Sequence, residues 1–162
     1  MSDYDYTVAA HHESGHVVGA YLLGMPIRSV YITPMLSQYV PGLTIGEAVE
    51  RGLVRACAIV AALGRVVEEK LFGRYDAECC DVDREVIEEG LLPRITDEQE
   101  REKLRKELSQ LAEELVARPG FVHAVRVLAQ ELLKRPGTRK EIGGAEAVAI
   151  IQAALKSQGS VR

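Results

Sequence analysis

Residues 8–23 read VAAHHESGHVVGAYLL, and this stretch decides how the rest of the chain is understood. Apart from one polar cluster it is apolar, as a helix buried on most sides would be. His12 and His16 stand four residues apart, so on a helix they share one face, one turn above the other. Both imidazoles can then reach a single zinc ion at roughly 2.0–2.1 Å. Glu13 lies about 100° around the same helix, beside the ligands, where it can touch a water bound to the metal. A buried cluster of two histidines and a glutamate needs partners, and a metal supplies them. Histidines hydrogen-bonded within a core would not require this spacing. Gly15 costs roughly 1 kcal/mol in a helix interior relative to alanine, which points to close packing of another backbone there.

The pattern is H-E-x-x-H, in which two histidines bind zinc and the glutamate is the general base. Composition sets the frame around it. At 162 residues the chain is long enough to bury its own core, and it reads as one domain over residues 1–162. Hydrophobic residues make up 47%, and mean hydropathy is −0.03. A net charge of −4 without a basic cluster argues against a nucleic-acid partner. The start, MSDYDY, is acidic and polar, unlike a secretory signal. No apolar run approaches the roughly 20 residues that span a bilayer, so a cytoplasmic location is expected. Cys57, Cys79 and Cys80 are an odd set without C-x-x-C spacing, unlike a disulfide framework. A thiolate at Cys79 or Cys80 could bind zinc, but small buried thiols are the plainer reading.

The periodicity predicts a mainly α fold with one small β element near residues 27–46. A first helix over 7–23 ends at Gly24, Met25 and Pro26. IRSVYIT at 27–33 is β-branched and aromatic, a strand, and 43–45 offers a second short one after the Pro41-Gly42 turn. Residues 47–72 read as a helix with Glu68, Glu69 and Lys70 outward and Gly73 as its stop. Another helix starts near Asp81, with acids in its first turn. Thr96 and Gln99 fit a capping box for the following helix, whose stripe of Leu104, Leu108, Leu111 and Leu115 faces the core. Helices over about 121–134 and 144–156 complete the count.

A catalytic zinc takes three protein ligands and keeps an open position. His11 points about 100° away from His12 on the helix. His123, in FVHAVRVL, reads as a structural histidine. A carboxylate is therefore the better third ligand, and the acidic stretch around Asp81 offers several.

Here a resemblance carries the reading further. Ala10-His11-His12-Glu13-Ser14-Gly15-His16 is similar to the A-x-H-E-x-G-H helix of the peptidase domain of the FtsH family of ATP-dependent zinc metalloproteases. Val30-Tyr31-Ile32-Thr33-Pro34 resembles that family's strand after the motif helix. Residues 62–69, ALGRVVEE, look like its L-G-G-R-A-A-E-E segment, continued by Leu71-Phe72-Gly73. Cys80-Asp81 falls where the family has Asn-Asp, and Leu128-Ala129-Gln130-Glu131-Leu132-Leu133 with Glu141-Ile142 resembles its closing helices. The resemblance implies that Asp81 completes the zinc site. It also implies that the 30–34 strand presents an edge to an extended substrate, with a plain core strand as the equal alternative.

The departures are specific. The loop between Gly73 and Asp81 is shorter than the family's and lacks its T-G-A-S run, so Asp83 stands as an alternative, with Asp81 preferred to Asp83, Glu78 and Glu85. No G-x-x-x-x-G-K-[ST] phosphate loop occurs in these residues. The expectation is thus a zinc metalloendopeptidase with Glu13 as base and His12, His16 and Asp81 as ligands. It would act on peptides or unfolded proteins without an ATPase of its own, as a homo-oligomer or beside a separate ATPase. The alternative is a non-catalytic relative that uses the same fold to bind or regulate a partner.

Overall fold

The computed structural model describes residues 3–159, with side chains for 5–77 and 80–159. It is mainly helical, 70% helix, with a small three-stranded antiparallel sheet. The elements in order are α1 (Asp3–Leu22), β1 (Ile27–Ile32), β2 (Ser37–Pro41), α2 (Ile45–Glu50), α3 (Val54–Phe72) and α4 (Ala77–Glu85). A π-helical turn (Val86–Leu91) and a 3₁₀ turn (Leu92–Arg94) follow. Then come α5 (Glu98–Val116), α6 (Phe121–Leu133), β3 (Lys140–Gly143) and α7 (Gly144–Gly159). No helix among the described residues is long and apolar enough to cross a membrane.

α1 runs through the centre. Every residue from 12 to 20 is buried, and the helix packs against α3, α6 and both strands of the hairpin. Its apolar residues Val17 and Val18 join Leu63 and Val67 of α3, Phe121, Val125 and Leu128 of α6, and Ile151 of α7 in the main core. The close approach expected at Gly15 comes from α3. A Cβ there would lie 2.7 Å from a Val67 methyl and 3.6 Å from the Leu63 carbonyl oxygen. The two helices thus pack closely because α1 has no side chain at that position.

The sheet order is β2-β1-β3. β1 is therefore the central strand, paired with β2 on one side and β3 on the other. This overturns the expectation that the 30–34 strand offers an edge: Val30 faces Tyr39 across one ladder and Ile142 across the other. Glu141-Ile142 lies in a strand, not in closing helices. Four residues with one buried side chain, Ile142, are too few to display a period, and only pairing with β1 makes them a strand.

Other boundaries shifted for local reasons. Thr44 does not extend a strand. It caps α2 through a reciprocal capping box, accepting from Glu47 N at 3.2 Å while the Glu47 carboxylate accepts from Thr44 N at 2.7 Å. The expected 47–72 helix is broken at Gly52, which adopts a φ of 68°. Asp97, one residue after Thr96, caps α5 by accepting from Glu100 N at 2.9 Å.

Candidate metal centre

α1 contributes the two histidines and α3 fixes their orientation. His12 Nδ1–H donates to Glu68 Oε1 at 2.5 Å, and His16 Nδ1–H donates to the Val60 carbonyl oxygen at 2.7 Å. With both Nδ1 atoms engaged as donors, each ring presents its Nε2 lone pair. Both rings are buried, 2% and 3% exposed. α3 also makes room for them: a Cβ at Gly64 would run into the His12 imidazole. Gly64→Ala should therefore displace that ring. The expected outcome is reduced metal uptake and a stability loss of about 1–3 kcal/mol by chemical denaturation, the usual cost of overpacking a core.

The third group comes from α4. Asp83 Oδ2 lies 3.0 Å from His12 Nε2 and 3.2 Å from His16 Nε2. His12, His16 and Asp83 form a set whose ligand atoms all lie within 4.8 Å of one another and could hold a metal ion. His16 Nε2 and Asp83 Oδ2 are buried yet have no well-formed hydrogen bond among the described residues. At 3.2 Å from each other, the imidazole nitrogen and the carboxylate oxygen could both bind one ion. The electrostatics agree. Burial alone disfavours the His12 imidazolium, but the contacts with Asp83 and Glu68 and the charge of Glu13 outweigh it, pushing its pKa up to about 10. Burial likewise works against the Asp83 carboxylate, but the charge of His16 and the contacts with both rings hold it well below the usual carboxylate range. The pocket favours positive charge at the point where the three side chains meet.

Asp81 is not there. Its side chain is 58% exposed and pairs with Arg84 at 2.9 Å. Residues 81 and 83 sit about 200° apart around α4, so only one of them can face α1. Cys80 and Asp83, three apart, share the inward side, and Cys80 brings its sulfur within 4.8 Å of ligand atoms of His12 and Glu68. α4 begins at Ala77, four residues before Asp81, not at Asp81. Glu85 is exposed, and the side chains of Glu78 and Cys79 lie outside the described residues. Cys57 and Cys80 are half-buried and form no disulfide among the described residues. His11 donates to the Thr7 carbonyl, and His123 contacts Ser157 Oγ at 3.3 Å; neither joins the cluster.

Glu68 was expected outward and is instead 1% exposed. One oxygen holds His12 and the other accepts from Asp76 N at 2.6 Å, tying α3 to the chain that leads into α4. Only Glu69 and Lys70 of that trio are exposed. The sequence does carry a signal for this: Gly64 and Glu68 are four apart on α3, on the same face, and Gly64 is the residue that admits His12. Glu68→Gln should weaken metal binding by about 10–100-fold, the usual cost of losing a ligand's outer partner, as read by competition with a chromogenic chelator. An unchanged affinity would show that the Glu68 contact does not orient His12.

Glu13 is 5% exposed. Its carboxylate is gripped by β2: Oε1 accepts from Ser37 Oγ–H at 2.7 Å and Oε2 from Tyr39 N–H at 2.5 Å. The Tyr39 ring stacks on His16, with centroids 6.1 Å apart and planes 26° apart. The second strand, expected at 43–45 after the Pro41-Gly42 turn, lies instead at Ser37–Pro41, which brings Ser37 and Tyr39 unanticipated beside the motif. Among known proteins, no protein-family model and no curated protein matches this chain.

Proposed function

We propose that the chain is a zinc-dependent peptidase acting on peptides or unfolded proteins. The observation that carries this reading is the meeting of His12 Nε2, His16 Nε2 and Asp83 Oδ2 next to a buried glutamate. Two imidazoles and one carboxylate are the donor set of a catalytic zinc with one open position. Tetrahedral bonds of about 2.0–2.1 Å place donor atoms about 3.3 Å apart, close to the 3.0 and 3.2 Å found here.

A site holding zinc would supply a bound water with its pKa lowered to about 7 and a Lewis acid for a carbonyl group. His12, His16 and Asp83 would hold it, with Glu68 and the Val60 carbonyl keeping both rings in the ligating tautomer. Glu13 takes the proton from the attacking water and passes it to the leaving amine. The resemblance to FtsH peptidase domains favours peptide bonds over other acyl or phosphoryl substrates. These 162 residues contain no Walker phosphate loop. Hydrolysis by the chain alone is therefore expected to be indifferent to ATP and directed at unfolded substrates, with any unfolding left to a separate ATPase or an assembly.

A second reading is favoured by one observation. Both oxygens of Glu13 are engaged by β2, which would suit a structural clasp in a non-catalytic binding protein. The deciding assay follows zinc-dependent cleavage of an unfolded casein and of a stable folded domain, with and without ATP. We expect the casein to be cut, the folded domain to be spared and ATP to change nothing. No cleavage of casein by zinc-loaded protein removes the peptidase reading in favour of the clasp.

A further inference from the structure

We infer that the outer edge of β2, at Ser37 and Tyr39, is a docking strip for the backbone of an extended peptide, and that Glu13 is the acceptor this peptide displaces. The inference rests on the peptidase reading for its catalytic consequence, while the docking itself does not. The sheet order leaves β2 with a strand neighbour on one side only, among the described residues. The hairpin closes with Thr33 N–H donating to Leu36 O at 2.7 Å. Antiparallel pairs alternate between hydrogen-bonded and non-bonded positions. Counting back from Thr33 opposite Leu36, Tyr39 opposite Val30 falls at a non-bonded position, and its N–H is turned away from β1. The 2.5 Å bond to Glu13 is the direct sign of that direction.

Ser37 and Tyr39 are two residues apart, the spacing at which an edge strand repeats its outward backbone groups. An added strand would place a peptide carbonyl on Tyr39 N–H, the mode by which sheet edges capture extended chains. A carboxylate oxygen and a peptide carbonyl oxygen are both acceptors for this donor, so Glu13 already holds the place such a carbonyl would take. The same side chain belongs to the H-E-x-x-H helix, one residue from His12. Exchange therefore links two events. The peptide gains the Tyr39 N–H, and the Glu13 carboxylate is released beside the histidines to act as base. A substrate long enough to reach β2 switches on its own hydrolysis, and a very short one does not.

The test uses the zinc-loaded full chain, labelled with ¹⁵N. The probe is an acetylated, amidated eight-residue peptide of alternating threonine and valine, N-methylated at its central amide to resist cleavage. Its affinity is read by titration, and the Tyr39 amide resonance reports the docking position. Glu13→Ala removes the competing carboxylate and is expected to bind the probe about tenfold tighter than the parent. Ser37→Ala loosens the same carboxylate, leaves every edge amide in place and should also bind more tightly. It serves as the second variant if Glu13→Ala does not fold. In each protein the Tyr39 amide signal should move with the titration. No binding of the probe, equal or weaker binding in Ser37→Ala, or binding that leaves the Tyr39 amide unmoved would overturn the inference. Hydrolysis is scored separately on the unmethylated peptide. Docking at Tyr39 without cleavage by the parent would remove the peptidase reading and leave the docking strip standing.

Discussion

Glu13→Gln is expected to retain metal and fold while losing at least about 1,000-fold in the rate of peptide hydrolysis. General acid–base catalysis contributes about 10²–10⁴-fold, and Glu13 would serve both proton transfers, from the water and to the leaving amine. The amide keeps the size of the side chain but cannot take up the proton. Its oxygen can still accept from Tyr39 N–H, while its NH2 meets Ser37 Oγ as a donor, so the Ser37 hydroxyl turns from donor to acceptor. The measurement pairs initial rates on a quenched-fluorescence peptide with metal content by mass spectrometry. A variant that cleaves at the parent's rate would show that Glu13 is a clasp and not the base.

The second large effect separates two aspartates that lie two residues apart. Asp83→Ala is expected to lower metal affinity by more than about 100-fold, beyond what loss of an outer partner costs. It also removes a carboxylate that lies within 3.2 Å of both Nε2 atoms. Asp81→Ala should leave affinity unchanged, because its side chain faces solvent and touches Arg84. An exposed pair of that kind contributes about 0–1 kcal/mol. Metal competition assays on the two variants decide the matter, and the reverse pattern would place the third ligand on the other face of α4.

The residues explain why part of this was legible and part was not. The histidine pair and its glutamate were readable because the i, i+4 relation lies within one helix, where spacing alone sets the geometry. The third ligand depends on where α4 begins, and an error of one or two residues in a loop turns a helix face away. Glu68 was read as outward because charge is the stronger prior for exposure; its burial depends on a histidine 56 positions earlier. The central place of β1 depends on β3, more than 100 residues later in the chain, and no local pattern reports such a pairing. The mainly α character, by contrast, follows from the long apolar-periodic stretches, each of which carries its own evidence.

Asp83 reaches the histidines from the far end of a long excursion. Between His16 and Asp83 the chain runs through the hairpin, α2 and the whole of α3 before α4 returns to α1. An ion gripped by both sides would therefore act as a staple across a loop of about 70 residues, the kind of closure that restrains a chain most. α1 would stay seated without it, since residues 12 to 20 are buried among other helices. α4, short and mostly exposed, has much less to hold it. Stripping the ion would thus unfasten one lip of the site while its floor stayed whole, so that loading and unloading become motions of α4 alone.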